Sequence, residues 1–215
     1  MGKIAHGCPE SEVRAAIAEE RRELAAVFDK LPEQKWDEST LCSGWRVREV
    51  VAHMSLGFRY SIPRVAKELV KARGSLNRMT DRCARQDAAS FSTGQLTGFL
   101  RDNATHPWKP PVGGIVAALG HDVVHGLDIT VPTGVDRQVP EDRLRILLDA
   151  VDPKSFKFFG ARLDGVQLRA IDLDWTFGTG SPVTGTAQDL LLLTFGRKLP
   201  KGRIEGPQAD RFDLV

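Results

Sequence analysis

Cysteine is scarce in this chain. Cys8, Cys42 and Cys83 are the only three, odd in number and widely spaced. That usage excludes a disulfide scaffold and fits a reducing compartment, so the cytoplasm is the expected location. No C-x-x-C pair occurs, which argues against a thiolate zinc site. No apolar stretch is long enough to cross a bilayer. The opening MGKIAHGCPESE lacks the apolar run of a secretory signal. An excess of one charge is missing too: 30 Lys and Arg face 28 Asp and Glu, a formal net charge of +2. No basic run with interleaved aromatics appears, so neither nucleic acid nor a membrane surface is an expected partner. There is no internal repeat and no low-complexity tract.

What remains is an ordinary globular chain. Its 215 residues are 41% hydrophobic and 27% charged, enough to bury a core without staples. Val13, Ile17, Leu24, Val27, Phe28 and Leu31 recur at helical spacing, predicting a first helix over 10–31 that Pro32 stops. A loop with Trp36, Cys42, Gly44 and Trp45 follows, its indoles expected on the core. A second helix starts near Arg46 or Val47 and runs towards Ala72, with a break near Pro63 and a stop at Gly74. Residues 75–92 are polar and basic without a clear period and read as a connection with partial helix. Thr93 is the expected cap of a third helix over 94–104. His106 to Pro111 is a proline-rich loop, placed to shape the mouth of a pocket. A fourth helix is expected over 114–129.

After the linker PTGVDRQVP, residues 132–140, the character changes. A helix over 141–151 precedes a strand over 165–175, a turn-like stretch over 177–185 read as a hairpin, a buried helix over 186–195 and a polar tail with one last strand. The fold class is therefore α+β, with a helical domain over 1–135 and a small mixed α/β domain over 136–215.

The chemistry concentrates in LGHDVVHGLDITVP, residues 119–132. His121 and His125 are four residues apart, which on a helix puts both imidazoles on one face, one turn apart. Two such rings can hold one transition metal, and His53 on the second helix supplies a third if the helices pack together. Other readings stay open: His53 as a core or pocket-edge residue, and the pair as polar residues on an amphipathic helix. The H-E-x-x-H pattern is absent, since Asp122 follows His121. Asp128, three residues past His125, is placed to orient an imidazole or to face solvent. Three nitrogen ligands would leave an open metal position, the mark of a catalytic centre, where bound water or thiol ionises near neutral pH.

The run W-x-x-x-T-x-C-x-G-W-x-V-R-x-V-V-x-H-M over 36–54 resembles the N-terminal part of the mycothiol-dependent maleylpyruvate isomerase family, within the DinB-like four-helix metal-binding bundles. Residues 120–130 resemble the family's second metal helix. R-A-I-D-L-D-W-x-F-G-x-G-x-P-V-x-G over 169–185 and A-x-D-L-L-L-L-x-x-G-R over 187–197 look like its small C-terminal domain. The resemblance implies metal ligands at His53, His121 and His125, where the isomerase itself carries Glu at the position of His121. It implies an active-site arginine, best matched by Arg197, whose other reading is a surface residue near a helix C-terminus. The family often has Ser or Thr at the start of the second helix; here Arg46 stands there, leaving the cap weak or supplied by Ser43.

The implied cofactors are a divalent metal, zinc first, and mycothiol as cosubstrate. The implied partners are that thiol and a small electrophilic substrate, acted on by isomerisation or S-transfer, in a monomer or homodimer. Two other functions stay open: a metal- or ligand-binding module without catalysis, and a metal hydrolase using bound water with Asp122 or Asp128 as base.

Overall fold

The structure, a computed structural model, describes residues 8–214. The first seven residues, on which part of the reading of the N-terminus rested, lie outside that range. Among the described residues, nine α-helices and a four-stranded sheet give the expected α+β architecture. No helix among them is long and apolar enough to cross a membrane.

Helix α1 spans Glu10–Phe28, α2 Val47–Arg59, α3 Ile62–Lys71, α4 Leu76–Ser90, α5 Thr93–Asp102 and α6 Gly114–Thr130. Helices α1, α2, α5 and α6 pack as a bundle, with α4 laid against α2. Leu24, Phe28, Trp36, Val50, Met54, Leu100 and Ile129 form its apolar centre. Close approach of α1 and α6 depends on Gly126, where any Cβ would press into the Leu24 side chain.

Several local expectations are corrected. Residues 76–90 form a complete helix, buried through Met79, Cys83, Ala84, Asp87 and Ala88. That face is made of small or weakly apolar residues and one aspartate, so its period is faint. Ser92, not Thr93, caps α5, its hydroxyl taking the Gln95 N–H while the Gln95 amide oxygen takes the Ser92 N–H. The chain does break between α2 and α3: Tyr60 is extended, Ser61 caps, and Pro63 sits in the first turn. The cap of α2 comes from neither Arg46's side chain nor Ser43. The Glu49 carboxylate accepts the Arg46 backbone N–H at 2.8 Å and grips its guanidinium at 2.6 Å.

The remainder holds α7 (Glu141–Leu148), α8 (Pro153–Phe159), α9 (Ala187–Thr194) and strands β1 (Val166–Ala170), β2 (Thr176–Gly178), β3 (Ser181–Gly185) and β4 (Ile204–Glu205). The hairpin is β1 with β2, not within 177–185: β3 lies on the other side of β1 and parallel to it, giving the order β2-β1-β3-β4. The chain crosses under the start of β1 in a few residues. Gly180, at φ 131°, allows this, because a Cβ there would collide with the Gly165 backbone.

A second apolar cluster joins Ile17, Leu119, Leu127, Leu147, Leu168, Val183 and Leu191. It runs across the expected boundary at 135/136 and fixes α6 between the bundle and the sheet-bearing part. The ion pairs agree: Glu20, fully buried on α1, takes Arg137 at 2.6 Å and Arg143 at 2.7 Å. Both arginines come from beyond that boundary.

Candidate metal centre

Helix α6 is apolar almost all round, and Asp122 and Asp128 are fully buried on it. A buried carboxylate needs partners. Each of these two has an imidazole and a guanidinium. Asp122 faces His121 Nδ1 through Oδ1 at 2.9 Å and takes Arg21 Nε on Oδ2 at 2.7 Å. Asp128 faces His125 Nδ1 through Oδ2 at 2.9 Å and takes Arg197 Nε on Oδ1 at 2.7 Å and an NH2 on Oδ2 at 2.9 Å. With each Nδ1 beside a carboxylate, the Nδ1–H tautomer is set and Nε2 carries the free lone pair.

His53 arrives from α2, between Trp45 and the α6 pair. Its ring centroid lies 5.1 Å from that of His121, 4.9 Å from His125 and 5.0 Å from Trp45. The Nε2 atoms of His53 and His121 are 3.3 Å apart. One nitrogen from each of the three rings lies within 4.8 Å of the others. The structure thus brings His53, His121 and His125 together.

The donor set suits a metal ion. Nitrogens bound tetrahedrally at about 2.0–2.1 Å sit roughly 3.4 Å apart, close to the spacing of the two Nε2 atoms. Without an ion, those lone pairs face each other unless one ring carries a proton there. His53 Nδ1 is buried with no hydrogen-bond partner, so neither neutral tautomer of that ring is fully satisfied. Burial, reinforced by the neighbouring His125 and His121, holds the His53 pKa well below the usual imidazole range. Burial also lowers that of His125, against the opposing pull of Asp128. Neutral imidazole is the form that ligates. The two α6 rings each keep 13% of their side-chain surface exposed, so the cluster is not walled off.

Arg197 reaches this cluster from just beyond α9, but it is committed. Besides the two bonds to Asp128, its NH1 donates to the Phe195 carbonyl at 3.1 Å, and one NH1 hydrogen is left over. Its side chain is 20% exposed.

Cys42 is a member the sequence reading passed over. Its Sγ lies 2.9 Å from Asp128 Oδ2, 3.6 Å from Arg197 and 3.6 Å from His125 Nδ1. Burial first, and then the Asp128 charge, raise its pKa, so it stays a thiol. The Cys in T-x-C-x-G-W, just ahead of the helix that carries His53, was the available signal.

Trp108, in the proline-rich loop, packs against His121 as Trp45 packs against His53. Its ring centroid is 5.1 Å from that of His121, and it packs over Gly57 so tightly that a Cβ there would enter the indole. A groove of about 440 Å³ runs between α1 and this loop, with His106 and Trp108 in its wall; the three imidazoles do not line it.

Residues 17–107, which carry Trp45 and His53, match the family model described as the mycothiol maleylpyruvate isomerase N-terminal domain. That stretch is similar to the family's N-terminal domain. Crystal structures of the mycothiol-dependent maleylpyruvate isomerase and of a histidine-to-alanine variant of it share the fold. Their TM-scores are 0.59 and 0.60, at 13% identity, over 98% of this chain and 96% of theirs. The likeness therefore extends beyond the family's N-terminal domain to the sheet-bearing part, as a likeness of fold. No curated protein matches the chain by sequence.

Proposed function

We propose that the chain is a metal-dependent enzyme that uses a low-molecular-weight thiol, mycothiol, to isomerise or S-conjugate a small electrophile. The observation that carries this is the convergence of three partly accessible imidazoles, two of them with Nδ1 held by buried carboxylates. His53, His121 and His125 would hold a divalent ion, zinc by preference for three imidazoles. When bound, such an ion supplies a Lewis acid that lets a thiol at its open position ionise near neutral pH.

The chain's own residues argue for a thiol from outside. Cys42, the nearest sulfur, is held protonated against Asp128 and is a poor nucleophile. Trp45 and Trp108 set apolar ring surface against His53 and His121. Arg197 offers a positive charge beside the cluster, and its unused NH1 hydrogen is available to a substrate carboxylate. Addition of the thiolate to a conjugated carbon, rotation about the resulting single bond and loss of the thiolate isomerises the substrate. Retention of the thioether gives a transferase. Maleylpyruvate, the substrate of the structural neighbour, is the first electrophile to test.

The hydrolase alternative is less well supported. Asp122 has an oxygen on His121 and the other on Arg21, and Asp128 is shared among His125, Arg197 and Cys42. The Asp128 carboxyl is held far below the usual range by His125 and Arg197, against the cost of its burial, which makes it a weak base.

Calorimetry with mycothiol, on zinc-loaded and chelator-stripped protein, tests the reading. Binding that needs the metal, together with thiol-dependent consumption of the electrophile, is the expected result. Equal binding by stripped protein would contradict it, and substrate loss without thiol would favour hydrolysis.

A further inference from the structure

We infer that Asp122, fixed by Arg21, is a positioning residue that sets the tautomer of His121 and aims its Nε2 at the metal position. The inference rests on the metal-centre reading above and adds to it a device drawn from α1, the helix that contributes no ligand. Asp122 and Arg21 are both fully buried. A sealed ion pair generally adds little stability over an apolar pair of the same volume. Its retention here has a different correlate: the Asp122 oxygen not on Arg21 lies 2.9 Å from His121 Nδ1.

Arg21 is built in from several sides. Its NH1 donates to the carbonyls of Asn103 (3.2 Å), Ala104 (3.4 Å) and His106 (3.0 Å), and its guanidinium lies 5.2 Å from the Phe58 ring. Those carbonyls belong to the segment leading to Trp108, the indole against His121. One guanidinium therefore ties down both the carboxylate that orients His121 and the loop that covers it. A second signal points the same way. His53 and His121 meet Nε2 to Nε2 at 3.3 Å, which requires His121 to keep its proton on Nδ1 if that nitrogen pair is to ligate.

The test compares two double variants that both delete the buried ion pair. In Arg21→Met with Asp122→Asn, the amide oxygen can still accept the His121 Nδ1–H. In Arg21→Met with Asp122→Leu, a side chain of nearly the same shape cannot. Thermal unfolding establishes that both fold. Zinc affinity by chelator competition should fall about ten- to a hundred-fold from the Asn to the Leu variant. Nitrogen-15 shifts of His121 in metal-free protein should report the Nδ1–H tautomer in wild type and the Asn variant, and lose that preference in the Leu variant. Equal zinc affinities with an unchanged tautomer would overturn the inference. A wild type that binds no zinc would instead overturn the metal reading, while the tautomer measurement still decides the role of Asp122.

Discussion

Two His–Asp–Arg chains radiate from the α6 histidines, and they differ. The one through Asp122 ends on Arg21, inside the bundle and completely sealed. The one through Asp128 ends on Arg197, from the sheet-bearing part, where 20% of the side chain meets solvent and Cys42 shares the carboxylate. The first has every feature of a fixed strut. The second bridges two parts of the fold, and its cation is the one that meets solvent. The same local chemistry thus serves rigidity on one side of the cluster and access on the other.

The comparison predicts unequal costs. Arg21→Met should be the most damaging of the changes considered, because it leaves a fully buried carboxylate without its cation and with only His121 as a partner: about 3–5 kcal/mol of stability, read from denaturant unfolding. Arg197→Met removes a partner from Asp128 but leaves His125 and Cys42 in place. It should cost less, about 2 kcal/mol, while raising KM for a carboxylate-bearing electrophile more than for a neutral one. Equal stability losses, with KM unmoved, would mean that both chains are only structural. Smallest of all is Cys42→Ala. A thiol is a weak donor, so a loss of about 1 kcal/mol or less is expected, with metal content and thiol-dependent turnover retained. Abolished turnover would make Cys42 a participant and break the distinction between the chain's own sulfur and an external one.

Much of this was legible in the residues. The 121/125 spacing and the α6 helix are local patterns, and the motif over 36–54 marked His53. The strut was not legible. Arg21 and Asp122 are 101 positions apart, and on α1 a buried arginine looks like any solvated one until the partner is known. The same holds for Glu20, paired across more than a hundred positions. Helix α4 was missed because its inward face is Met, Cys, Ala and an aspartate, so hydrophobic periodicity was weak where packing is real. The strand order failed for a different reason: a short link such as residues 179–180 looks like a hairpin turn, yet here it passes beneath a strand. Arg197 was placed near the site by analogy, but its bidentate hold on Asp128 could only be seen in three dimensions.

The most direct test is elemental analysis of freshly purified wild type beside His53→Ala, with circular dichroism to show that both are folded. About one divalent ion per wild-type chain and almost none in the variant is the expected outcome, since losing one of three ligands should break the centre. A wild type that stays metal-free after equilibration with zinc, or a variant that keeps the full complement, would contradict the account.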